Sequence, residues 1–139
     1  MSFLLDTCVI SEFVKPQPNP SVTSFIAGQD EAKLFLSAVT VGEIQRGIQK
    51  LPVGKKQAAL LLWMDAVEIQ FENRVLAFDK RCAGEWARMC TEAEAAGFPL
   101  AAFDSIIAAI ARSHSMTLVT RNTTDFVHTG VPLINPWEL

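Results

Sequence analysis

Apolar residues recur along the chain in two patterns, short continuous runs and longer segments with helical spacing. Four short runs are typical of buried strands, and they cover residues 3–5, 34–36, 75–78 and 117–120. In the segments between them, apolar side chains three or four positions apart, or the turn signals at their ends, predict helices over residues 7–14, 20–28, 40–51, 55–66, 79–96 and 102–115. Strands and helices therefore alternate along most of the chain.

This alternation determines the expected fold class. A helix is the usual connection between parallel strands, so the order favours a parallel sheet with helices on both faces, the doubly wound α/β class. No linker, repeat or low-complexity tract interrupts the 139 residues, so we expect a single domain over residues 1–139. In such folds, binding sites form beyond the carboxyl ends of the strands.

Composition narrows the class of protein. With 50% hydrophobic and 19% charged residues, the chain is not disordered, and some apolar surface is expected to face a second copy or a partner. No apolar run is long enough to span a membrane, and Asp6 interrupts the N-terminal apolar run, so we expect neither insertion nor export. Three cysteines without CxxC spacing, Cys8, Cys82 and Cys90, indicate reduced thiols and a cytoplasmic location.

The net charge restricts how nucleic acid could bind. A formal charge of -3 argues against a protein that holds nucleic acid by bulk positive charge, because phosphate binding normally needs a basic face. If the substrate is RNA, cations must take part in binding it.

Four carboxylates lie at junctions between predicted elements: Asp6, Glu43, Asp104 and Asp125. Strand ends and the helix starts that follow them lie along one edge of a parallel sheet, so these side chains could form one acidic pocket. Clustered carboxylates repel each other, and a hard divalent cation such as Mg²⁺ or Mn²⁺, which prefers oxygen ligands, relieves that repulsion. Such an ion also polarises phosphate and activates water.

Local structure offers another explanation for each acid. Asp6 and Asp104 could simply cap helices, and Thr40-x-x-Glu43 matches a capping box that accounts for Glu43 without a metal. Asp125 could be a turn residue with an Asx-type hydrogen bond. Only the joint arrangement of the four acids favours a functional site.

Blocks distributed along the chain carry a family resemblance. They are LLDT (4–7) with VISE (9–12), LSAVTVGE (36–43), AFDSIIAA (102–109), LVTRN (118–122) with DF (125–126), and NPW (135–137). Together they resemble PIN-domain toxins of the VapC and FitB kind. The resemblance implies a PIN-like three-layer α/β/α sandwich with a central parallel sheet, and Mg²⁺- or Mn²⁺-dependent cleavage of RNA phosphodiesters. It also implies a homodimer and inhibition by a small DNA-binding antitoxin.

The resemblance also assigns roles to individual residues. Asp6, Glu43 and Asp104 fall on the three core acids of the family; Asp6 and Asp104 are the best metal ligands, and Glu43 would complete the ligand set or orient the attacking water. The chain departs from the family pattern at two positions. Cys8 stands where many relatives have Asn, and Asn122 stands where several have a fourth acid, so either Asn122 or Asp125 could complete the site.

Arg121 lies beside the predicted site and is the basic residue we expect to contact substrate phosphate.

Other enzyme classes remain open at this stage. Asp6 could be the nucleophile of a haloacid-dehalogenase-like phosphohydrolase, although Cys8 occupies the place of that motif's second acid. Cys8 could also act as a nucleophile with His114 or His128.

A binding module without catalysis is the third possibility. It would use the apolar stripe Leu60–Met64 with Trp86, although at helical spacing such residues more often belong to a core or a dimer interface. Divalent-metal binding by the purified protein discriminates between this possibility and a nuclease.

Overall fold

The computed structural model describes residues 1–139, and a five-stranded parallel sheet lies at its centre. The strands are β1 (Phe3–Leu5), β2 (Leu34–Ser37), β3 (Val75–Leu76), β4 (Thr117–Val119) and β5 (Leu133–Ile134). They pair in the order β3-β2-β1-β4-β5. In register, Phe3 of β1 lies opposite Leu34 of β2 on one side and Thr117 of β4 on the other. The predicted doubly wound α/β fold is confirmed.

Seven α-helices connect and cover the strands. They are α1 (Thr7–Glu12), α2 (Pro20–Ala27), α3 (Ala38–Gln49), α4 (Lys55–Gln70), α5 (Lys80–Ala95), α6 (Ala102–Ser113) and α7 (Thr123–Phe126), and short 3-10 turns occur at Glu31–Lys33, Val127–Thr129 and Pro136–Glu138. None of the helices combines the length and the apolar character that crossing a bilayer requires.

Alternation along the central strand divides the interior into two cores. Phe3 and Leu5 pack on one face of the sheet with α1 to α4, whereas Leu4 packs on the other face with α5 to α7. Successive side chains of a strand point to opposite faces, so a fully buried strand serves both cores. This arrangement gives the three layers of the predicted sandwich.

The sheet order also identifies where a site can form. Connections run outward in opposite directions from β1 and β4, which makes the gap between their carboxyl ends the switch point of the sheet. Asp6 directly follows β1, and Thr120 directly follows β4. These two residues therefore lie at the position where a doubly wound fold opens a crevice.

Several element boundaries differ from the sequence-based prediction. Helix α4 continues one turn beyond the predicted end at residue 66, whereas α1 ends two residues earlier than predicted. Strand β5 and helix α7 were not predicted, because two and four residues respectively are too short for a periodic pattern. Helix α3 begins at Ala38 rather than at residue 40, because Ser37 provides its N-cap.

Candidate active site

Asp6 is buried at the switch point and is held by both of its carboxylate oxygens. It is 6% exposed. Oδ1 accepts a hydrogen bond from the Thr7 backbone N–H at 2.8 Å, which caps α1. Oδ2 accepts one from Thr120 Oγ1 at 2.8 Å across the gap between β1 and β4. The capping explanation for Asp6 is therefore correct, and it leaves the carboxylate fixed at the expected place for a site.

Glu43 reaches toward the same point from the neighbouring helix. Its Oε1 accepts a hydrogen bond from Thr7 Oγ1 at 3.0 Å, and Thr7 directly follows Asp6 in the chain. The capping-box prediction is wrong, because Ser37 is the N-cap of α3 and its Oγ accepts from the Thr40 backbone N–H at 3.0 Å. Thr40 is instead buried inside the helix. The carboxylate of Glu43 is thus directed to the sheet edge rather than used as a cap.

Asp104 lies in the first turn of α6, where Ala101 is the N-cap and no side chain caps the helix. The capping explanation for Asp104 is therefore wrong. Burial raises the pKa of its half-buried carboxyl group, and the negative charges of Asp6, Asp125 and Glu43 raise that pKa further. The charges of the other three predicted acids therefore act on Asp104 at the carboxyl edge of the sheet.

Asn122 and Asp125 both lie close to this group of acids. The Asn122 backbone N–H donates to Thr120 Oγ1 at 3.0 Å, and its exposed side chain makes no capping hydrogen bond. Asp125 is exposed in the first turn of α7, and no hydrogen bond to its carboxylate supports the Asx-turn interpretation. The choice between Asn122 and Asp125 as a fourth ligand stays a prediction.

The chemistry of these side chains fits a hard divalent cation. The donors are carboxylate oxygens with an amide oxygen available, and neither histidine is among the groups that act on them. No three of the acidic, histidine or cysteine side chains already stand close enough together to form a metal-binding cluster. A cation bound among these carboxylates would offset their mutual repulsion.

Cys8 lies beside Asp6 but is not suited to nucleophilic catalysis. Its Sγ is 3.8 Å from Asp6 Oδ2 and 3.7 Å from Thr120 Oγ1. Burial, followed by the charge of Asp6, raises the pKa of the thiol, although the Arg121 backbone N–H counteracts this shift. A raised pKa keeps the thiol protonated and unreactive at neutral pH.

Neither histidine pairs with Cys8. His128 stacks on the Phe98 ring at a centroid distance of 3.7 Å, and His114 follows α6 at the end remote from Asp104. The interpretation of Cys8 and a histidine as a catalytic pair is therefore wrong. The phosphohydrolase alternative needs a second carboxylate two residues after Asp6. Cys8 stands at that position, and its thiol contacts Asp6.

Arg121 places an exposed positive charge at the rim of the site. Its guanidinium lies 5.3 Å above the centre of the Trp137 ring, and its backbone N–H donates to Cys8 Sγ. No carboxylate forms a salt bridge with it. Its charge is therefore available to an anion, although contact with substrate stays a prediction.

Two threonine hydroxyls that hold the acids were not predicted from the sequence: Thr7, which donates to Glu43, and Thr120, which donates to Asp6. Thr120 alone could have been found from the sequence, because it is a polar residue at the carboxyl end of a run that predicts a buried strand. In the structure it is fully buried. The contact between Thr7 and Glu43 joins residues 36 positions apart and leaves no local pattern.

Comparisons with known proteins show which family the chain belongs to. Toxin FitB of Neisseria gonorrhoeae is 38% identical over 97% of this chain and 98% of its own length. VapC ribonuclease Y4jK of Sinorhizobium fredii is 35% identical over 97% of each chain. A solved structure of FitAB bound to the IR36 DNA fragment superposes with a TM-score of 0.94 and 40% identity, over 99% of this chain and 96% of that one. Residues 3–131 match the sequence profile of the PIN domain, and this chain belongs to the PIN domain family.

Proposed function

We propose that this protein is an endoribonuclease toxin that hydrolyses RNA phosphodiester bonds with Mg²⁺ or Mn²⁺ and is neutralised by a small DNA-binding antitoxin. The observation that carries the proposal is that Thr120 and Thr7 hold Asp6 and Glu43 at the carboxyl edge of the sheet. The charges of these two acids also raise the pKa of the Asp104 carboxyl group. Two of the relatives, named as a toxin and a ribonuclease, support the same activity.

The acids divide the chemical work by their positions. Asp6 and Asp104 would hold the cation, Glu43 would complete the ligand set or orient the attacking water, and Asn122 or Asp125 would supply a fourth oxygen. A divalent cation held by these residues would polarise the scissile phosphate and would lower the pKa of bound water. Asp104 must lose its proton before it can serve as a ligand, so cation binding should strengthen as pH rises through the raised pKa of its carboxyl group.

Hydroxyl groups keep two of the ligands in place. Thr120 donates to Asp6 and Thr7 donates to Glu43, so each hydroxyl favours the ionised form of the carboxylate it contacts. The second oxygen of Asp6 accepts from the Thr7 backbone N–H, whereas the second oxygen of Glu43 accepts no hydrogen bond from a threonine. Arg121, exposed at the rim, would bind a substrate phosphate.

An apolar groove supports the proposed protein partners. It has a volume of about 210 Å³ and is lined by residues of β1, β2, α1, α2 and α4, among them Phe13, Ile26 and Trp63. We propose that the antitoxin covers apolar surface of this kind and that the toxin forms a homodimer. An RNA substrate and a DNA-binding partner support our proposal of a cytoplasmic location.

A pure binding module is disfavoured by the electrostatics of the site. The ionised Asp104 is half-buried among three other negative charges, which destabilises the fold. A protein that only binds a partner through an apolar groove has no use for this repulsion.

The test is cleavage of labelled single-stranded RNA by the purified protein. We expect products with Mg²⁺ or Mn²⁺, none in EDTA, and none when the antitoxin encoded beside the gene is added. Absence of cleavage with either metal, or cleavage that continues in EDTA, would overturn the proposal.

Asn122→Asp is expected to tighten Mn²⁺ binding. The side chain is exposed and makes no capping hydrogen bond, so a carboxylate there is free to add attraction beside the cation. Isothermal titration with Mn²⁺ measures the change, and Asn73→Asp, in the exposed turn before β3, is the charge-matched control. Unchanged affinity would show that Asp125 already supplies the fourth ligand or that position 122 faces elsewhere.

A further inference from the structure

Positive charge is concentrated in the segment that follows Glu43. Residues 44–64 contain no Asp or Glu, but they contain four of the chain's 12 Lys and Arg residues, Arg46, Lys50, Lys55 and Lys56. The net charge of the chain is -3, but this segment is basic. Its first basic residue, Arg46, lies about one helical turn after Glu43, a proposed metal ligand.

A groove of about 440 Å³ connects this segment to the acids. Its lining includes Glu43, Arg46 and Lys50 on α3, and Phe103, which directly precedes Asp104, stands on the other side. We call it the α3 groove. Glu43, Arg46 and Lys50 are spaced three and four residues apart, so they form one ridge about 10 Å long along the helix.

The two cations of the α3 groove are free to bind an external anion. The four salt bridges of the protein use other basic residues, namely Lys15, Arg74, Arg88 and Arg112. The carboxylate of Glu43 accepts from Thr7 rather than from Arg46. An unpaired Arg and Lys one turn apart provide contacts for the phosphates of a nucleic acid strand.

The other walls of the α3 groove suit an unstacked base. Phe103 is 59% exposed, more than any other Phe or Trp side chain of the protein. Gly42 and Gly47 leave the floor open, since a Cβ at either position would meet no atom within 4 Å. Bases of single-stranded RNA stack on exposed aromatic rings in this way, whereas bases inside a duplex cannot.

We propose that the α3 groove is a binding site for single-stranded RNA beside the scissile phosphate, with Arg46 and Lys50 on the backbone phosphates and Phe103 stacked on a base. The inference rests on the proposed ribonuclease function and assigns the substrate path. Arg121 follows β4, and the helix that carries Arg46 begins after β2, so the two elements start on opposite sides of Asp6 in the sheet order. An RNA strand bound to both would cross the acids.

Charge favours RNA over a protein in this groove. Lysine is depleted from the centre of protein interfaces. The α3 groove presents Lys50 and Arg46 to solvent, and neither forms a salt bridge within the protein.

The first experiment measures the salt dependence of RNA binding. Affinity for a fluorescein-labelled, mixed-sequence single-stranded RNA is measured by anisotropy in EDTA, so that the RNA stays intact. Arg46→Gln and Lys50→Gln should each lower the slope of log affinity against log salt by about 0.7. Lys33→Gln, which removes an exposed charge before β2 at the opposite edge of the sheet, should leave the slope unchanged.

The second experiment separates the groove from the stability of its helix. Gly47→Gln should raise the melting temperature, because Gln is a better helix former than Gly, but should lower RNA affinity because its side chain fills the α3 groove. Gly84→Gln, at an exposed position of α5, should raise the melting temperature without changing RNA affinity. Phe103→Leu keeps apolar surface in the α3 groove but removes the stacking ring, so it should also weaken RNA binding.

The outcomes distinguish failure of the α3 groove proposal from failure of the proposed function. If the protein cleaves RNA with Mg²⁺ but Arg46→Gln, Lys50→Gln and Gly47→Gln bind RNA like the wild type, the α3 groove proposal is overturned and the proposed function stands. Loss of dimer or antitoxin binding in these variants, with unchanged RNA affinity, also overturns it and makes the groove a protein interface. A wild-type protein that cleaves no RNA overturns the proposed function instead.

Discussion

Asp104→Asn is expected to abolish ribonuclease activity while leaving the metal-free protein as stable as the wild type or more stable. Burial and three neighbouring negative charges raise the pKa of the Asp104 carboxyl group above its value in the unfolded chain. Stability from this group is therefore fully present below the unfolded pKa and is lost as pH rises through the raised, folded pKa. The uncharged Asn removes that loss and nearly preserves the shape of the side chain.

Thermal melts at several pH values in EDTA measure this difference. The advantage of Asp104→Asn should be largest at neutral pH and should disappear in acid, where both side chains are neutral. Asp65→Asn, at an exposed position of α4, is the matched control and should show no such pH dependence.

Added Mg²⁺ should reverse the order of stability. At roughly ten times its dissociation constant, a ligand that binds only the folded state adds about 1.4 kcal/mol to the free energy of unfolding. The wild type and Asp65→Asn should gain this amount, whereas Asp104→Asn should lose most of the gain. A variant that is less stable in EDTA yet equally stabilised by Mg²⁺ would show that Asp104 acts only through its charge at the start of α6.

Phe126→Ala is expected to lower the free energy of unfolding by about 3–5 kcal/mol. Phe126 is fully buried in the core on the α5 to α7 side of the sheet, so truncation loses apolar burial and leaves a cavity. Urea denaturation measures the loss. Phe103→Ala is the matched control, and it should change stability by less than about 1 kcal/mol because the ring is already 59% exposed.

The same substitution should also disturb the acids. Phe126 directly follows Asp125 and fixes α7 against the core, so Phe126→Ala should weaken Mn²⁺ binding even at temperatures where the protein stays folded. Unchanged metal affinity in the folded variant would show that Asp125 and Asn122 lie outside the site.

Periodicity predicted the parts of the fold that are long or strongly apolar. The four predicted strands and the helix of residues 102–115 are present because core burial decides both their pattern and their structure. The boundaries of α1 and α4, and the existence of β5, depend on tertiary contacts instead. The dipeptide Leu133–Ile134 becomes a strand only because Leu118 and Val119 of β4 offer a free edge.

The convergence of the acids could be predicted, but their individual environments could not. A parallel sheet places Asp6 and the start of α6 at its carboxyl edge, independently of the conformation of the loops. The capping-box prediction failed because Ser37, which is fixed at the end of β2, accepts a hydrogen bond from the backbone N–H of Thr40. In a capping box, that N–H would donate to Glu43 instead. Two hydroxyl residues within one turn make this choice undecidable from the sequence alone.

The double role of Asp6 affects how an inactive version of this toxin should be made for overproduction or crystallisation with RNA. Its two oxygens close the first turn of α1 and tie β1 to β4, so Asp6→Ala would leave the backbone N–H of Thr7 and the hydroxyl of Thr120 without their acceptor. An inactive phenotype would then report folding and chemistry together. Asp104, which caps nothing, is the position at which activity can be removed while the scaffold is kept.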